Sequence, residues 1–195
     1  ALPAEVVGSR PRLCLGQAIA ALLRGRADQA EPLLAAAERA FEATADEPYE
    51  PSVGRAASIL ANVPAVIAVG RADLARLRGD PEGEAMLAKQ ALAHLTERDG
   101  LLLGSFARYH LAMADWLGGR IAQAERGLVE VVAERSAAGE RYLAVRACYD
   151  LGHLQQVQGR LGAALRTYQQ GLEIAAEPGQ LDLLAAVVEQ SDGGG

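Results

Sequence analysis

Apolar residues recur at three- and four-residue steps along most of the chain, as in Leu128, Val131 and Val132, with Arg135 closing the run. That is the period of one helix face. Read this way, the pattern predicts helices over 11–24, 28–44, 53–78, 81–97, 101–118, 121–138, 140–158, 161–176 and 180–190. The third is unusually long, and Pro64 within it removes a backbone donor and should kink it or split it in two. Ser9 and Asp28 stand where a side-chain oxygen can cap the first helices.

The helices fall into register on a glycine. Arg24-Gly25-Arg26, Arg78-Gly79-Asp80, Gly118-Gly119-Arg120 and Gln158-Gly159-Arg160 can be laid over one another, and the last three turn glycines are 40 residues apart. The first gap is 54, its surplus placed in the proline-containing stretch 45–54. Seven residues before each glycine stand Ala18, Ala72, Ala112 and Gly152; five after it stand Ala30, Ala124 and Ala164, with Glu84 as the exception. Twelve after it come Ala37, Ala91, Val131 and Gly171. Small residues at fixed places let two helices pack closely, and a glycine after the first supplies the left-handed cap that turns the chain back. The expected fold is all-α, one domain over 1–195: a right-handed superhelix (α-solenoid) of about four helix-turn-helix repeats at 11–44, 53–97, 101–138 and 140–176, capped by the helix at 180–190.

Composition agrees with helices and narrows the chemistry. Half of the chain is hydrophobic but only 4% is aromatic, so the β-branched and aromatic residues that favour strands are sparse. A net charge of −6 argues against a nucleic-acid surface, which needs a concentrated basic face. Cys14 and Cys148 lie far apart with no secretory signal, the usage of free thiols in a cytoplasmic protein. No apolar stretch reaches the length of a membrane span; 59–69 is too short and is broken by Asn62 and Pro64. The chain opens on Ala1 and ends in Ser191-Asp192-Gly193-Gly194-Gly195, which reads as a piece of something longer.

The small residue, turn glycine and following alanine resemble the tetratricopeptide repeat, although 40 residues is longer than that family's usual spacing. A closer resemblance is to the MalT-like repeat region of large LuxR-type bacterial transcriptional regulators. It rests on Leu2-Pro3-Ala4-Glu5-Val6-Val7, Arg10-Pro11-Arg12-Leu13 and Leu22-Leu23-Arg24-Gly25-Arg26-Ala27-Asp28-Gln29-Ala30-Glu31, then Leu77-Arg78-Gly79-Asp80-Pro81 and Gln158-Gly159-Arg160-Leu161. The resemblance implies a modular parent in which an N-terminal signalling ATPase precedes the repeats and a DNA-binding helix-turn-helix follows them. The repeats would sense an inducer or a partner protein. The present stretch has no Gly-Lys-Ser or Gly-Lys-Thr phosphate loop, Lys89 being its lysine, so it is expected neither to hydrolyse ATP nor to bind DNA and to need no cofactor.

In such repeats the first helix of each hairpin lines the concave face. Thirteen, ten, six, three and two residues before the turn glycine should then point inward. These are Arg12, Leu15, Ile19, Leu22 and Leu23 in the first unit, and Val66, Val69, Asp73, Arg76 and Leu77 in the second. They are Phe106, Tyr109, Met113, Trp116 and Leu117 in the third, and Arg146, Tyr149, His153, Gln156 and Val157 in the fourth. Asp73, Arg76, Phe106, Tyr109, Met113, Trp116, Arg146, Tyr149, His153 and Gln156 are therefore the candidate groove for an inducer, a protein or a peptide. A short array can instead pack these residues on neighbouring helices. If they are core, truncating Tyr109, Trp116 or Tyr149 unfolds the chain; if they line a groove, it weakens binding alone.

His94, His110 and His153 share no metal-ligand spacing, and Cys14 and Cys148, at one repeat offset, are expected as small buried residues. No Ser/His/Asp or Cys/His set can be assembled from spacing, so the chain is expected to be non-catalytic. Three roles remain open: a sensor or interaction module, a spacer or self-association surface, and an adaptor for extended peptides. An open charged groove favours peptide, an enclosed aromatic pocket a small molecule, and a continuous exposed apolar patch self-association.

Overall fold

The computed structural model describes residues 10–43, 60–96 and 101–176, and among them every regular element is an α-helix. In order these are α1 (Pro11–Leu23), α2 (Ala27–Ala43), α3 (Val63–Leu77), α4 (Pro81–His94), α5 (Leu101–Leu117), α6 (Ile121–Ala137), α7 (Arg141–Val157) and α8 (Leu161–Ala176). They form an α-solenoid of stacked hairpins. Each helix packs on the next along the chain, and α1, α3, α5 and α7 also touch in sequence, which makes one continuous layer of first helices.

The turn glycines close the hairpins in one way. Gly25, Gly79, Gly119 and Gly159 have φ of 70°, 71°, 77° and 75°, the left-handed region that side chains other than glycine resist. In the third turn Arg120 N–H donates to the Asp115 carbonyl at 2.7 Å and Gly119 N–H to the Trp116 carbonyl at 3.0 Å. This pair of reversed bonds satisfies carbonyls the helix would leave bare. The other three turns repeat it, and so does Gly139 (φ 69°), which links α6 to α7 between hairpins.

The register of small residues is the packing interface. Ala18, Ala72, Ala112, Ala30, Ala124, Ala37, Ala91 and Val131 are all buried. Gly152 shows why nothing larger fits: a Cβ there would stand 2.5 Å from the Tyr168 ring of α8. Leu15, Leu34, Leu74, Leu128, Leu143 and Leu154 fill the space between helices with 2% exposure or less, each burial contributing about 1.5–3 kcal/mol. The core is divided: one block gathers α1–α3 and Leu103 of α5 around Cys14, Leu15 and Leu34, the other α5–α8 around Tyr109, Leu128 and Leu143. A small cluster of Ala68, Ala91 and Ala107 lies apart from both.

Two expectations need correction. The third helix begins at Val63, with Pro64 in its first turn and Asn62 Oδ1 accepting from Ala65 N–H at 3.0 Å. Proline there lacks only a donor that has no intrahelical acceptor, so it starts this helix and neither kinks nor splits it. Asp28 lies inside the first turn of α2, which begins at Ala27; its carboxylate faces the positive end of the helix dipole rather than capping it. Ser9, residues 44–59 and the expected helix 180–190 lie outside the described residues.

Candidate binding surface on the first-helix layer

Three consecutive first helices are tied together by one arginine. Arg146 of α7 lies across the Tyr109 ring of α5, its guanidinium carbon 5.0 Å from the ring centroid, a cation–π geometry. Its Nη2 donates to Asp73 Oδ1 of α3 at 3.1 Å, its Nε to the Tyr109 hydroxyl at 3.0 Å and its Nη1 to the Tyr142 hydroxyl at 3.4 Å. Tyr109 in turn donates to Asp150 Oδ2 at 2.6 Å, and Arg76 Nη2 donates to Asp73 Oδ1 at 3.0 Å. Contact from Arg146 to Asp73, across the intervening α5, requires the three helices to present the same face.

The charges in this cluster shape one another. Burial pushes the Asp73 carboxyl up, but Arg146, His110 and Arg76 outweigh it and hold the group below its ordinary value. For Asp150 burial wins and the carboxyl is raised, despite the Tyr109 hydroxyl and Arg146. Burial also drives the Tyr109 phenol well above the ordinary tyrosine range, so it stays a donor. Behind this face His110 Nδ1 lies 2.8 Å from Glu84 Oε1, both side chains at 3% exposure or less. Burial raises the Glu84 carboxyl above its ordinary value, and its second oxygen is buried without a partner among the described residues.

Two hollows flank Arg146 and Tyr142. One is a half-open cavity of about 80 Å³ with apolar walls from α1, α2, α3 and α5, and with Asp73, His110, Tyr142 and Arg146 also on its lining. The other is a shallower groove of about 510 Å³ bordered by Arg141, Tyr142, Val145, Arg146, Tyr149 and Ala175.

The ten sequence candidates divide between these settings. Asp73, Phe106 and Arg146 line the cavity, with Ile19, Leu22, Leu23, Val66 and Val69 from the same inward offsets. Arg146 and Tyr149 border the groove. Tyr109 and Met113 are core, 1% and 5% exposed, and Arg76 meets Asp73 at the edge of the charged cluster. Trp116, half-buried, packs edge-on against exposed His153 with ring centroids 5.3 Å apart. Tyr149 is 62% exposed and its ring lies 6.4 Å from His153 and 6.3 Å from Tyr168. The exposed Gln156 accepts from the Tyr168 hydroxyl at 3.1 Å.

Tyr142, Asp150, Glu84 and His110 escaped the sequence reading. A signal for Glu84 was present: it is the one charged residue at a position that is alanine in the other three units. Its partner His110 stands nine before the turn glycine, where the first two units have Gly16 and Gly70 and the fourth has Asp150. Cys14 and Cys148 are buried small side chains, and burial raises the Cys148 thiol to about 11. Among the described residues no group of three or more His, Cys, Asp or Glu side chains is placed to hold a metal ion, and no helix is long and apolar enough to cross a membrane.

Comparison with known families matches the tetratricopeptide repeat at residues 11–43, 105–126 and 145–170. These stretches cover the α1–α2 hairpin, most of α5 with the start of α6, and α7 with the first part of α8. The chain therefore carries a tetratricopeptide-like helical repeat region. Repeats of this kind generally mediate protein–protein contact, in keeping with a non-catalytic interaction domain. Neither the curated proteins nor the solved structures yielded a match to the chain.

Proposed function

We propose that this region is a non-catalytic sensor and interaction domain that holds an inducer or a segment of a partner protein against its first-helix layer. Resemblance of the opening residues to MalT-like repeats adds the finer reading, a sensory module of a LuxR-type regulator. The observation that carries the binding role is Tyr149, a tyrosine left 62% exposed beside an open groove on the inner face. Exposed aromatics set next to arginine are what recognition surfaces concentrate. A thermal-shift screen of the region against short peptides and metabolites tests it. A binder raises the melting temperature, and the shift should vanish in Tyr149→Ala or His153→Ala, whose exposed side chains leave the core intact. A shift that persists in both variants moves the binding role off this face.

A second reading, self-association, is favoured by α8. Leu161, Leu165 and Leu172 are 65%, 58% and 70% exposed at spacings that put them on one helix face. Sedimentation that finds only monomer, or a dimer unchanged by Leu165→Glu, rejects that reading.

A further inference from the structure

We propose that the half-open cavity lined by α1, α2, α3, α5 and α7 binds a small uncharged amphiphile, a short aliphatic body ending in an amide-like head. The inference rests on the first-helix layer being a binding surface, and it names the chemistry that one part of that surface selects.

Size and walls define the body. The space is about 80 Å³, below the ~150 Å³ of an apolar cavity that takes up benzene. A ring does not fit inside it, but the cavity is half-open, so a short chain can enter end-on with its remainder in the mouth. Ile19, Leu22, Val66, Val69 and Phe106 offer that chain hydrocarbon, and removing it from water supplies the main driving force.

The polar lining defines the head. Arg146 has five N–H donors and spends three, on Tyr109, Tyr142 and Asp73. Two remain without a partner among the described residues. Asp73 Oδ1 accepts from both Arg76 and Arg146, so Oδ2 keeps its acceptor capacity. His110 turns Nδ1 to Glu84, which leaves Nε2 on the other edge of a ring that lines the cavity. A head with a carbonyl for Arg146 and an N–H for Asp73 uses both kinds of unspent group.

Charge decides against the alternatives. Asp73 already faces Arg146 and Arg76, and Asp150 holds the Tyr109 hydroxyl against Arg146. Counting Asp73 and Asp150 against Arg146 and Arg76 the cluster balances, so a carboxylate or an ammonium would add a net charge to a largely apolar space, which is costly. A neutral head avoids that cost while making the same hydrogen bonds.

The experiment titrates the whole chain with pentanamide, pentanoate and pentylammonium, followed by NMR shifts of side-chain methyls. Pentanamide should saturate, at least tenfold more tightly than either charged analogue. Val69→Phe and Ile19→Phe fill the space from different walls and should weaken pentanamide at least tenfold, with melting curves checking that each is folded. Absence of saturation, equal binding of a charged analogue, or unchanged binding in a folded filled variant overturns the proposal. If neither filled variant folds, the three head groups on the unmodified chain decide alone. A peptide or metabolite whose binding is lost in Tyr149→Ala but kept in Val69→Phe would leave the interaction role standing while this site falls.

Discussion

Tyr109 and Tyr149 occupy the same place in successive repeats, ten residues before the turn glycine, yet one is 1% exposed and the other 62%. The difference comes from their neighbours. α5 has α3 on one side and α7 on the other, and Arg146 from α7 closes over the Tyr109 ring. Tyr149 sits on α7, and no further first helix lies beyond it among the described residues. A repeat position thus fixes which way a side chain points, whereas its burial depends on whether another repeat follows to cover it.

That contrast can be broken at several points. The largest effect is expected at Tyr109→Ala, which empties a fully buried aromatic site and should cost about 3–5 kcal/mol in urea unfolding; a loss below 1 kcal/mol would show that the ring is not core. Next comes Arg146→Ala, which strips Asp73 and Tyr109 of their shared donor. Breaking a buried pair costs about 3–5 kcal/mol, and the partial exposure of Arg146 and Asp73, 24% and 15%, lowers the expectation to about 2–3 kcal/mol.

Acid should sharpen the contrast. Asp73 is held below its ordinary 3.8 in the fold, so the unfolded chain binds its proton first as pH falls. Stability from Asp73 is complete above about 3.8 and is lost as pH drops through the lower folded value. The gap in urea midpoint between the wild type and Asp73→Asn should therefore narrow as pH falls through that range. Glu84 has the opposite sign: raised by burial, its contribution is present in acid and lost as pH rises from 4.5 through the folded value. Glu84→Gln should flatten that decline, and a parallel pH profile would remove the buried carboxyl from the account. The smallest effect belongs to Tyr149→Ala, expected within about 0.5 kcal/mol of wild type in the same unfolding assay. A larger loss would make that ring part of the core.

The layout of the array was readable because its signals are local. Each turn glycine is followed by a new helix, and Val63 aside, helix starts fall within a residue of those expected, for example Arg141 against 140. The long third helix went wrong because apolar residues before Pro64 continue the helical period, and periodicity alone cannot tell a proline that starts a helix from one that interrupts it. The inward offsets found the cavity wall from Ile19 to Arg146. They could not separate Tyr109 from Tyr149, because coverage by a neighbouring repeat is a property of the stack. The Glu84–His110 and Asp73–Arg146 pairs join residues 26 and 73 positions apart, and no helical period carries that information. An odd charged residue in a row of alanines was the trace the first pair left, and Asp73 and Arg146 have no such trace.

At each turn between paired helices, a Cβ added to Gly25, Gly79, Gly119 or Gly159 meets no atom within 4 Å. Volume therefore does not select the residue there; handedness does. The positive φ that an L-alanine resists is one its mirror image prefers, so D-alanine built into Gly119 by chemical synthesis should suit the backbone conformation there. By restricting only the unfolded chain it would stabilise the hairpin by about 0.4–1 kcal/mol. These corners are chiral hinges, set by handedness and not by volume, and suited to a residue that ribosomal synthesis does not supply.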